Sequence, residues 1–161
     1  MKQSELQELP ANVRETYNRL TADDFKDHEE VITARRILAE GEARRQIALD
    51  ALLAHQAKCE ALSHQREATA RELAALDGER PERLALMLLG DGLQDFADDV
   101  SRQHHRGELA LLIERIDLAW AVIVARGEAL RAGVHRHRTD HEEERLAGIL
   151  ERLRIAEAWT S

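Results

Sequence analysis

Residues 22–76, ADDFKDHEEVITARRILAEGEARRQIALDALLAHQAKCEALSHQREATARELAAL, run without a proline and keep one apolar stripe almost from end to end. This stretch predicts a single long helix. At a rise of 1.5 Å per residue it would reach roughly 80 Å, more than a compact domain of this size covers, so it implies a rod, a hairpin or an oligomer.

A heptad laid from Val31 has Val31, Leu38, Arg45, Leu52, Cys59, Arg66 and Leu73 at its a positions and Ala34, Gly41, Ala48, His55, Leu62, Thr69 and Leu76 at its d positions. The seam is apolar at both ends and polar at intervals, so the pattern is that of a partnered helix rather than an autonomous zipper. Arg45, His55 and Arg66 on this seam require acidic partners, an exit to solvent or a local departure from heptad packing. Ile32, Ile37, Ile47, Leu49 and Leu53 broaden the apolar face and argue for more than one neighbouring helix there.

On the N-terminal side, Thr21 and Asp24 form a capping-box pattern that places the start of the long helix at Ala22. Before it, Pro10–Leu20 reads as a short helix that packs Val13, Tyr17 and Leu20 against something larger. On the C-terminal side, Asp77-Gly78-Glu79-Arg80-Pro81 is the clearest stop signal, and the chain is expected to reverse there. The segment from Pro81 to Val134 nearly matches the first arm in length, as an antiparallel hairpin requires.

The second arm is less regular. Gly90-Asp91-Gly92 should kink it, and the stripes Leu93, Phe96, Val100 and Leu109, Leu112, Ile116, Ala119, Ile123, Leu130 are out of phase, with the slip at residues 103–107. Leu109–Val124 is the most apolar window and the expected centre of the core. Thr139, with Glu142 in the reciprocal position, caps a last helix whose apolar face is Leu146, Ile149, Leu150, Leu153 and Ala156, extended by Trp159.

These readings predict an all-α protein. Its expected form is one elongated domain spanning 1–161, with helices at about 10–20, 22–76, 81–90, 93–133 and 139–159. It is a long antiparallel, coiled-coil-like hairpin whose short terminal helices pack at one end as a three- or four-helix bundle. Only 3% aromatic residues against 34% charged ones fit solvated helices better than a thick enzymatic core. No apolar run approaches a membrane span, the N-terminus lacks a signal peptide's apolar stretch, and a single cysteine, Cys59, suits a reducing compartment, so a cytoplasmic location is expected.

The net charge of −8 argues against direct nucleic-acid binding. Residues 77–102 hold seven acids against three bases, while 103–138 hold four acids, six bases and four histidines. Asp91, Asp95, Asp98 and Asp99, with Glu79 and Glu82, are the candidate partner-binding residues of the acidic segment. Clustered carboxylates can also hold magnesium, but no facing acidic cluster has matching spacing. His135, His137 and His141 include one pair four apart, yet a helix cap falls between them and no zinc pattern accompanies them. Cys59 has His55 one turn before it and no third group to orient a base; a buried small residue is the simpler reading. Ser4, Ser63, Ser101 and Ser161 lie in no nucleophile motif, and no glycine-rich phosphate loop occurs.

No catalytic residue, cofactor or metal is therefore assigned. The expected function is a non-enzymatic protein-interaction role, as a helical adaptor, chaperone or assembly factor with self-association among its outcomes. The alternative is an acidic inhibitor that imitates nucleic acid in a basic groove; a carboxylate metal enzyme comes third.

Overall fold

The computed structural model describes residues 2–90 and 94–161, and the side chains of all these except Gln94 and Asp95. Among the described residues five α-helices run in order: α1 Gln3–Gln7, α2 Ala11–Arg19, α3 Glu29–Leu89, α4 Gln94–Arg136 and α5 Asp140–Thr160, with a 3-10 turn at Ala22–Phe25. Among the described residues there is no strand. The fold is all-α, as its patterning predicts. Packing divides it into two compact units, residues 1–50 with 132–161 and residues 51–131.

The second unit is a two-helix hairpin made from 51–89 of α3 and 94–131 of α4. Its cross-links run antiparallel: His55 meets Ile123, Arg66 meets Asp117, Arg80 meets Asp99. Along α3 the withdrawn positions are Leu52, His55, Cys59, Leu62, Arg66, Thr69, Leu73 and Leu76, which are the predicted a and d residues of this part. Thr69 is tolerated there because its hydroxyl donates to the Gln65 carbonyl of its own helix at 2.7 Å.

The predicted break at 77–81 does not occur: α3 continues to Leu89 with Pro81 inside it. No described glycine has a positive φ, so Gly78 is an ordinary helical residue. The heptad explains why local stop signals lose. Arg80, Arg83 and Met87 carry the a/d register onward and remain partly or fully buried, so pairing with α4 offsets the hydrogen bond that Pro81 removes. The described helices change over between Leu89 and Gln94, not at Gly78.

The expected slip within the second arm is also absent. α4 keeps one heptad, with Asp99, Arg106, Ile113, Trp120, Gly127 and Val134 on one row and Arg102, Leu109, Ile116, Ile123 and Leu130 on the other, all at least partly buried. The slip is only apparent, because the seam positions of α4 are not all apolar. Phe96 and Val100 are exposed and Leu93 lies outside the described residues; charged Asp99, Arg102 and Arg106 occupy the seam instead.

The first unit gathers α1, α2, the 3-10 turn, 29–50 of α3, 132–136 of α4 and α5. Val13, Tyr17 and Ala158 form a buried cluster with Leu6, Leu9, Leu20 and Ile155 packed around it, so the predicted role of Val13, Tyr17 and Leu20 holds. The Tyr17 hydroxyl donates to the Glu151 carboxylate at 2.7 Å, and the Arg154 guanidinium lies 3.9 Å from the Tyr17 ring centroid while its Nε donates to the Tyr17 carbonyl. Burial, followed by the Glu151 hydrogen bond, pushes the Tyr17 phenol above its ordinary pKa.

Three local expectations shift here. Thr21 does bond Asp24, its amide donating at 2.6 Å, but the pair starts the 3-10 turn and α3 begins only at Glu29. Thr139 precedes α5 as predicted, yet its hydroxyl donates to Glu143 at 3.1 Å rather than engaging Glu142. Its φ of −112° and ψ of 12° depart from the extended conformation of a reciprocal capping box. Trp159 is exposed, and Ala158 enters the core in its place because the helical stripe passes through 151, 155 and 158.

Candidate functional site

Polar rungs cross the hairpin seam, and they engage Asp77 and Asp99 of the acidic segment. Arg66 donates through Nε and Nη2 to the two Asp117 oxygens at 2.6 and 2.9 Å, the acidic partner its seam position required. That bond holds the Asp117 carboxyl below its usual range. Arg106 makes the same two-pronged contact with Asp77, whose carboxyl is likewise lowered, first by the hydrogen bond. Arg80 reaches both oxygens of half-buried Asp99 at 3.3 and 3.4 Å. His105 sits beside Glu72 at 2.8 Å and Glu108 at 3.8 Å.

The acidic candidates therefore divide. Asp99 belongs to the seam. Asp98 faces Arg102 at 3.7 Å, Glu79 pairs with Arg83 one turn on, and Glu82 is exposed with no ion pair or hydrogen bond among the described residues. Asp91 lies outside the described residues, as does the side chain of Asp95.

His55 and Cys59 stand between two grooves of about 440 and 480 Å³ on the flanks of the hairpin. His55 Nε2 lies 3.0 Å from the Ile123 carbonyl and 3.4 Å from Cys59 Sγ. A carbonyl oxygen only accepts, so Nε2 carries the proton and has no lone pair to take one from the thiol. The geometry is that of a helix-to-helix clamp, not a base and nucleophile. Gly127 makes the clamp possible: a Cβ there would come within 3.1 Å of the His55 ring.

The feature that patterning alone misassigned is the outer face of α4. Leu109 and Ile116 are buried, but Leu111, Leu118 and Val122 are 43%, 75% and 70% exposed. Their spacing of seven and four puts them on one stripe, away from the seam. The window Leu109–Val124 is apolar on both faces, which was the available signal; it is only half core. A second apolar group closes α3, where Leu86, Leu88 and Leu89 are 66%, 73% and 87% exposed while Met87 between them is buried.

Among the described residues, no three His, Cys, Asp or Glu side chains converge as a metal site requires, and no helix is long and apolar enough to cross a membrane. No protein-family model matches the sequence, and no curated protein or solved structure shows significant similarity to it.

Proposed function

We propose that the chain is a non-enzymatic helical interaction protein whose contact surface is the outer face of α4. The observation that carries this reading is the Leu111, Leu118, Val122 stripe, exposed on a helix whose opposite face is already occupied by α3. Intramolecular pairing uses the heptad seam, so the surface left for a partner lies across the helix from it. Each leucine that moves from water into an interface is worth about 1.5–3 kcal/mol, and contiguous exposed apolar surface marks association sites.

The acidic-antagonist reading has less support, because Asp77, Glu79, Asp98 and Asp99 each face an arginine of this chain. A phosphate mimic needs carboxylates free to meet a partner's cations.

The test is affinity capture from source-cell extract with the native chain and with Leu118→Glu and Val122→Glu, which face solvent and leave the seam untouched. We expect one defined partner, or a second copy of the chain, to be retained by the native protein and lost from both variants. Equal recovery by all three proteins would contradict the reading.

A further inference from the structure

The last three turns of α3 carry Glu79, Glu82, Leu86 and Leu89 at intervals of three and four, which places them on one continuous stripe. All four residues are exposed. The stripe has two halves, carboxylates followed by leucines. Neither half lies on the hairpin seam, which passes through Arg80, Arg83 and Met87 on the adjoining side of the helix.

The charge of the acidic half is met only in part within the chain, through the Glu79–Arg83 pair. Arg80, Arg83 and Arg102, the bases of 77–102, already face Asp99, Glu79 and Asp98, and Glu82 has no partner among the described residues. Asp98, on the neighbouring start of α4, keeps a 69% exposed side chain. In the Glu79–Arg83 pair the carboxylate keeps a 62% exposed side chain, so it can meet a second cation from the solvent side while Arg83 stays against the hairpin.

We propose that this stripe docks a cationic amphipathic helix of another protein. Its leucine-like residues cover Leu86 and Leu89, and its lysines or arginines, one to two turns away, meet Glu79 and Glu82. The pairing follows from charge complementarity along a single line. A neutral apolar segment would leave the carboxylates desolvated without partners, and an anionic one would be repelled. This inference rests on the interaction-protein reading but concerns a different face, so the two can fail separately.

The experiment is fluorescence anisotropy with three labelled helical peptides that share one leucine face and carry lysine, glutamine or glutamate beside it. They are titrated with the full chain and with Leu86→Ser/Leu89→Ser and Glu79→Gln/Glu82→Gln, all at low and high salt, with circular dichroism confirming that each variant is folded. The lysine peptide should bind best, lose about tenfold in affinity with either double variant, and weaken with salt on the native chain more than on Glu79→Gln/Glu82→Gln. Equal affinity for the lysine and glutamine peptides would overturn the charge inference while leaving the α4 reading intact. No binding by any peptide, or binding indifferent to both variants, would also overturn it. Sedimentation of the chain alone completes the test: an oligomer dissolved by Leu86→Ser/Leu89→Ser would identify the occupant as a second copy and overturn the proposal.

Discussion

His105 should give the hairpin a dependence on mild pH. Its hydrogen bond to Glu72, with further attraction from Glu72 and Glu108, raises its pKa above the ordinary 6.5 against a smaller desolvation effect. A raised folded-state value means that the contribution is complete below 6.5 and is lost as pH climbs through the folded value. Asp24, Asp77 and Asp117 are shifted down, so their contributions stay constant at neutral pH and fade only in acid below their usual 3.8. Between about pH 6 and 8 the native melting temperature should therefore fall, and Glu72→Gln should flatten that slope. Identical slopes in scanning calorimetry would show that the Glu72 contact contributes nothing. Neither partner of this bond could be read from sequence, where His105 is one of a pair of histidines in a polar run. His55 shows the opposite case. Its seam position was visible from the heptad, but not its acceptor, because the Ile123 carbonyl belongs to the facing helix, where the ring packs close over Gly127.

At the scale of elements, the apolar period was legible and the punctuation was not. Apart from exposed Arg45, the a/d rows of the first arm are buried or partly buried rows of α3, whereas Ile32, Ile47 and Leu53, expected to broaden that face, are exposed; the all-α class was legible from two prolines and the lack of alternating β-branched runs. The glycine and proline at 78 and 81 do not end the helix because their local preferences are worth a few kcal/mol and compete with a seam shared along many turns. The charged residues of α4 hid its continuous register for a related reason: Asp99, Arg102 and Arg106 count as breaks until their partners are known. Gly78 provides a direct check of this account. A Cβ added there would meet nothing within 4 Å, and the residue is exposed. Gly78→Ala should therefore stabilise the protein by roughly 0.5–1 kcal/mol, the ordinary gain from replacing a helical glycine. Destabilisation in urea unfolding would mean that Gly78 ends a helix in a left-handed conformation.

At the scale of the whole molecule, the functional readings depend on which faces the hairpin leaves uncovered, and that depends on the register. With α3 unbroken, α4 pairs through Asp99, Arg106, Ile113 and Trp120, and Leu111, Leu118 and Val122 turn away from the seam. A reversal at Gly78 would shift the pairing and could bury that stripe. The acidic candidates were found as a segment, but their division between seam and surface required the partner helix. The exposed leucines were overlooked because an apolar run reads as core unless both of its faces are accounted for. Amide hydrogen exchange across residues 74–84 in the isolated full-length chain is the most direct measurement. The unbroken helix predicts slow exchange through 77–80 and on past Pro81, comparable to the flanking turns. Rapid exchange confined to 77–82, between two protected segments, would contradict the register and with it the assignment of the outer faces.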